Sequence, residues 1–225
     1  MFIPAEGRIG VEEKLVDFQW YSGFAVSQKK KSINAMHSVA SSIGYDNLLE
    51  ISSKSDNELG VQLSAFNLTI TTKKLNKKFS VECAFQGSKV FENGGPYRDL
   101  FETDSLSAKK DLRVKSSGNL VSFQFFNHSF PIVPRTYFYD WIYINALLQN
   151  SELADSVLGF NGFTDIEFNP QKSINCQAHS VALYVSLLNS GMLNSAIQSP
   201  QQFLELCKPH YNSQQRQIPV QQKIV

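Results

Sequence analysis

Apolar positions recur at helical spacing over residues 27–42, where Ile33, Met36 and Val39 share a stripe behind Lys29, Lys30 and Lys31, so an amphipathic helix is expected there. Residues 47–53 read as a short strand and 61–70 (VQLSAFNLTI) as a strand or strand-plus-turn. Ser80 has N-cap chemistry for a helix over 80–91 that turns Val81, Ala84, Phe85 and Phe91 to the core, with the NGGP run at 93–96 as its stop. A short basic helix is expected over 107–113. Residues 120–126 alternate, with Val121, Phe123 and Phe125 on one strand face. Residues 136–149 are apolar almost all round, which predicts a buried helix, followed by another at 151–158. Residues 163–169 alternate strictly: Ile166 and Phe168 point one way, Asp165, Glu167 and Asn169 the other. An apolar helix over 177–189 closes at Gly191, and Ser199-Pro200 opens a last one. Helices mixed with a few strands, without a regular βαβ rhythm, predict an α+β fold: a mostly helical single domain with a small sheet.

Composition narrows the class. The chain has 225 residues, formal net charge +1, 17 Phe and an 18% charged fraction. That is ample apolar mass for a core, and it excludes wholesale disorder. A near-zero net charge excludes a polycation but leaves room for a local basic stripe. No apolar run reaches the length of a membrane span, and the N-terminus lacks the basic-then-apolar order of a secretory signal. Three widely spaced cysteines (Cys83, Cys176, Cys207) and four scattered histidines argue against a disulfide framework and against a metal site. These features predict a reduced, cytoplasmic protein with no cofactor and no membrane contact. Residues 1–45 are expected to be an N-terminal extension, 46–210 the catalytic domain and 211–225 a flexible tail.

Two segments carry candidate chemistry. On a helix over 80–91, Glu82, Gln86 and Lys89 would form one polar stripe, with carboxylate and ammonium about 10 Å apart along the axis. Such a stripe is either a solvated face or a pair flanking a ligand. On the 163–169 strand, Asp165 and Glu167 are either the wet side of a half-exposed strand or a carboxylate pair that activates water. The basic runs at 29–31, 73–78 and 109–115 are solvated surface unless they converge to track phosphates. The aromatics Tyr137, Tyr139, Trp141 and Tyr143 sit at helical spacing among apolar neighbours and are expected mainly in the core.

The string from Ser80 to Phe91 (SVECAFQGSKVF) resembles the signature of the NADAR family, [ST]-x-E-x-x-[FY]-Q-x-x-K-x-[FY]. Leu63-Ser64-Ala65-Phe66 looks like that family's Leu/Phe-Ser-Asn-Phe segment, and 163–177 falls where the family has its acidic, ligand-facing strand and loop. The likeness spans about 47–190. FENGGPY, TYFYDW, FTDIEFNP and SINCQ point to the branch encoded beside DarT-type toxins. Asn169-Pro170 and Ser173-Ile174-Asn175 stand where the common family has an Asp and a Trp-Gly turn.

The resemblance implies an N-glycosidase, an ADP-ribosylglycohydrolase that removes ADP-ribose from guanine bases of single-stranded DNA as antitoxin to a DarT-type ADP-ribosyltransferase. Its partners would be ADP-ribose, ADP-ribosylated guanosine in DNA and a DarT-type toxin. It implies Glu82 beside the sugar C1″, and Lys89 holding a phosphate or hydroxyl or acting covalently. Asp165, with Glu167, is the candidate second acid. Ser64, Phe66, Gln86, Tyr97, Asn169, Asn175 and Gln177 are candidate ligand contacts, and the Gly94-Gly95 turn a source of backbone N–H groups for the diphosphate. Two rivals remain at this stage: cleavage of a small N-glycoside such as a riboflavin-pathway intermediate, and a non-catalytic module that neutralises a toxin by contact.

Overall fold

A computed structural model describes residues 1–23, 25–73, 76–169 and 173–214. In chain order the elements are β1 (Phe2–Pro4), β2 (Val11–Glu13), α1 (Val26–Ser42), β3 (Leu48–Glu50), α2 (Glu58–Gln62), β4 (Thr69–Thr71) and β5 (Lys78–Ser80). Next come α3 (Val81–Gly87), β6 (Lys89–Phe91), a 3-10 turn (Arg98–Glu102), α4 (Ser105–Lys110), α5 (Arg113–Ser116), β7 (Leu120–Phe125) and β8 (His128–Pro131). The chain continues through α6 (Tyr137–Leu148), α7 (Ser151–Ser156), β9 (Gly162–Thr164), α8 (Gln177–Asn189), α9 (Leu193–Ala196) and α10 (Pro200–Ser213). The fold is α+β. A four-stranded sheet of order β2-β1-β9-β3 is antiparallel except for the parallel pair β3 and β9; β4-β5 and β6-β7-β8 form two small antiparallel sheets. Helices α6 and α8 pack on each other at the centre of one apolar core.

Several expected boundaries move. The helix over 80–91 stops at Gly87, because Val90 and Phe91 pair with β7 instead of continuing it. Gly87 suits that stop: a Cβ there would lie 2.6 Å from the Phe101 ring. The segment 61–70 is not one strand, since α2, capped by the Asn57 side chain on the Leu59 N–H, runs into it and only Thr69–Thr71 is extended. The basic region at 107–113 divides between α4, capped by Asp104, and α5. The strand expected over 163–169 ends at Thr164, and a turn follows in which Phe168 N–H donates to the Asp165 carbonyl. Val121 is exposed, beside the register shift between Val90 and Phe91, so its predicted inward face is lost.

The N-terminal residues are not an appendage to a domain starting at 46. Phe2 pairs with Phe163 and is buried in the main core, and β1 and β2 complete the sheet that carries β9. At the other end α10 extends past 210 and Tyr211 is buried, so a tail beginning at 211 starts too early; residues 215–225 lie outside the described residues. Among the described residues no helix is long and apolar enough to cross a membrane.

Candidate active site

The floor of the site is the N-terminus of α3. Ser80 Oγ accepts the Cys83 N–H at 3.1 Å, and Ser105 Oγ shares a 2.7 Å hydrogen bond with it while donating to the Phe66 carbonyl at 2.8 Å. Two further donors of the helix start are used on the 63–68 turn, Val81 N–H to the Leu68 carbonyl and Glu82 N–H to the Ala65 carbonyl, both at 2.9 Å. The orphan N–H groups of a helix start thereby become the clamp that sets Ser64 to Phe66 beside Glu82. Gln177, the first residue of α8, completes it: its Oε1 accepts the Ala65 N–H at 2.7 Å and its Nε2 donates to the Ile51 carbonyl at 2.6 Å.

These elements enclose an open cavity of about 720 Å³, within the usual range for small-molecule sites. Of the residues singled out from sequence, Ser64, Phe66, Glu82, Gln86, Asp165, Glu167, Asn175 and Gln177 line it. Gln86 Nε2 donates to Glu82 Oε1 at 2.9 Å, and Lys89 Nζ donates to Gln86 Oε1 at 2.8 Å. Lys89 therefore stands one hydrogen bond behind the wall. It starts β6 rather than ending a helix, and its ammonium lies 4.6 Å over the Phe85 ring. Burial pulls its pKa down to about 8 against the pull of the Glu82 charge, and Lys109 pushes the same way as burial.

Four predicted contacts fall elsewhere. Gly94 and Gly95 form the turn after β6, where a Cβ on Gly95 (φ +83°) would meet the Lys89 carbonyl at 2.2 Å, and they do not line the cavity. Tyr97 bonds Ser117 Oγ at 2.5 Å under the Arg113 guanidinium, away from the cavity. Asn169 is also absent from the wall; its carbonyl accepts the Ser173 N–H.

The acidic side of the cavity has a partner no local motif announces. Glu50, at the end of β3 and only 2% exposed, accepts the Ile166 N–H at 2.8 Å and the Thr164 hydroxyl at 2.6 Å. It grips the residues on either side of Asp165. Burial raises the Glu50 carboxyl, opposed by those hydrogen bonds. Burial raises Asp165 well above the usual carboxylate range, and the Glu50 charge adds to it. The better-donated Glu50 is the more acidic of the two and Asp165 the one raised further, as expected where two acids share a dry site. Tyr139 stands on the same wall, its hydroxyl pushed up by burial and further by the Glu82 charge.

Two hydroxyl or amide oxygens on the wall have no hydrogen-bond partner among the described residues: Ser64 Oγ, in a residue 2% exposed, and Asn175 Oδ1. Buried polar atoms of this kind are normally satisfied, so they mark where a polar ligand would bind. Lys54, Lys109, Lys110 and Lys115 line the same cavity, and among the described residues none of them is paired with a carboxylate. Of the three basic runs, then, the one at 109–115 converges on the site. Lys29 and Lys30 are held by Glu167 and Asp56, and Lys77 by Glu102. Among the described residues no group of three His, Cys, Asp or Glu side chains is placed to hold a metal.

A family model described as DarT1-associated NADAR antitoxin matches residues 1–217, which includes the N-terminal strands. No curated protein matches the chain.

Proposed function

The chain belongs to the DarT1-associated NADAR antitoxin family, and on that premise we propose that it reverses its toxin's modification chemically, by hydrolysing the N-glycosidic bond between ADP-ribose and a guanine base of single-stranded DNA. The observation that carries this reading is the placement, on one cavity wall, of the Glu82 carboxyl with the raised Asp165 carboxyl, beneath a rim of four lysines and beside two oxygens without a partner among the described residues.

In this reading the diphosphate lies on the lysine rim, where charge attracts phosphate oxygens. Ser64 and Asn175 bond ribose hydroxyls or the adenosine. Asp165 gives its proton to the departing guanine nitrogen as the C1″–N bond breaks. Glu82, fixed by Gln86, stabilises positive charge at C1″ and takes a proton from the water whose oxygen forms the new C1″–O bond. Glu82 gains a proton and Asp165 loses one, and exchange with solvent resets both.

One observation favours a second route, the Lys89 pKa of about 8. A desolvated lysine with part of its population neutral can attack a sugar carbon. If the ribose opens, the Lys89 amine displaces the guanine nitrogen from C1″, and water then hydrolyses the resulting imine to free ADP-ribose and lysine. Borohydride present during turnover distinguishes the routes: a reduced ADP-ribosyl adduct on Lys89 selects the covalent one, and turnover without adduct selects direct hydrolysis. Contact-only neutralisation has no such use for a buried acid pair, and a Glu82→Gln protein that still protects cells from the toxin would establish it instead.

A further inference from the structure

A second, smaller cavity of about 210 Å³ adjoins the first, and the two share Asp165 and Phe168 as a common wall. Its other side is the irregular segment that follows β2, with Phe18 and Trp20, and the Met36 side chain of α1. Trp20 is 46% exposed although it is fixed in place: the Lys29 ammonium lies 4.7 Å over its ring and reaches Glu167 Oε1 at 3.5 Å. The cavities differ in lining. The larger has four lysines on its wall with no carboxylate partner among the described residues, while the smaller is walled by the rings of Phe2, Phe18, Trp20 and Phe168 and carries charges of both signs: Met1 with its ammonium, Glu13, and Lys14, which Glu12 holds at 3.1 Å. The smaller is below the size that drug-like ligands need but admits one flat ring system.

Resting on the functional reading above, we infer that this aromatic cavity is the subsite for the leaving guanine, with Trp20 as its stacking surface. The four lysines assign the phosphates to the larger cavity, and the four aromatic rings assign a flat aromatic group to the smaller. The bond between sugar and base then lies at the edge where the two cavities meet, beside Asp165. An extruded base is commonly gripped between aromatic side chains, and stacking tolerates whatever bases flank it. The N-terminal segment thus supplies one wall of the substrate site.

The test uses the full chain carrying Glu82→Gln, so that substrate survives. Affinity is measured for free ADP-ribose and for a single-stranded oligonucleotide bearing ADP-ribose on guanine. Adding Trp20→Ala should weaken the oligonucleotide tenfold or more and leave ADP-ribose within twofold, and Trp20→Phe should restore most of the loss. Equal oligonucleotide affinity with and without Trp20→Ala overturns the subsite. A Glu82→Gln protein that binds neither ligand overturns the functional reading, and the subsite falls with it. Independently of folding effects at position 20, guanosine monophosphate should quench the fluorescence of Trp20 in a Trp141→Phe protein; unchanged emission at saturating nucleotide also contradicts the assignment.

Discussion

Asp165 and Glu50 illustrate how little local chemistry decides a residue's role. Both are carboxylic acids near one turn, yet Glu50 receives an N–H and a hydroxyl while Asp165 receives the Glu167 N–H and lies 3.7 Å from the Cys176 sulfur. The folded protein raises the Asp165 pKa above its unfolded value. It therefore binds more protons than the unfolded chain above about pH 4, and stability falls as pH rises through that window. Asp165→Asn removes this cost while keeping an oxygen for the Glu167 N–H. It should raise the melting temperature at neutral pH and lower kcat/KM by about 10²–10⁴. Thermal melts and initial rates on the same preparation check both signs. Glu50→Gln keeps an acceptor for Ile166 but removes the charge, so the alkaline limb of the pH–rate profile should shift to lower pH as the Asp165 pKa drops. An unchanged profile would reduce Glu50 to a structural brace.

At the scale of elements, the site depends on how α3 begins rather than on its length. Ser80→Ala removes the cap on Cys83 and the bond to Ser105, at a cost of about 1 kcal/mol or somewhat more. Because the same bonds hold the Phe66 turn, the variant should also raise KM for the modified oligonucleotide more than it lowers kcat, which steady-state rates will resolve. The α3 start was legible in sequence, as were α1, α6, α8 and the Ser199 cap, because caps and apolar periodicity are local signals. The end of α3 was not. Lys89, Val90 and Phe91 continue a helical spacing well enough, but a strand some thirty residues on, β7, claims them for a sheet. The same holds for the site. Glu82, Gln86 and Lys89 could be read from one string. Glu50 and Lys54 could not, since β3 reaches Asp165 only through parallel pairing with β9, more than a hundred positions later. Tyr139 was hidden among the apolar residues of α6. Gly94, Gly95 and Tyr97 do not line the cavity, since a glycine turn offers the same local pattern whether it cradles phosphate or only reverses the chain after a strand.

Across the whole molecule, a buried polar relay ties the two ends of the chain to its centre. Val11 N–H donates to His210 Nδ1 at 3.4 Å; His210 Nε2 lies 3.1 Å from His179 Nε2, with Gln214 Nε2 within 3.2 Å of both, and His179 Nδ1 lies 3.3 Å from Asp140. Ser180 and Tyr211 also donate to Asp140. Burial, helped by His179, lowers the His210 pKa to about 4. The unfolded chain then binds more protons between about pH 6.5 and pH 4, so stability is lost as pH falls through that window, by on the order of 2–3 kcal/mol. His210→Asn, which retains an acceptor near Nδ1, should flatten the denaturation midpoint across this range.

The lysine rim makes its own prediction at this scale. Lysines that hold a diphosphate by charge make its binding salt-sensitive, so affinity for the modified oligonucleotide should fall as salt rises, and Lys109→Ala should weaken both the affinity and its salt dependence. The most direct test takes a single-stranded oligonucleotide with ADP-ribose on guanine, adds the purified protein, and quantifies free ADP-ribose and restored DNA, with Glu82→Gln and Lys89→Ala alongside. Release by the wild type, with a loss of at least a hundredfold in Glu82→Gln and a marked loss in Lys89→Ala, is the predicted result. A folded wild-type protein that releases no ADP-ribose would contradict it.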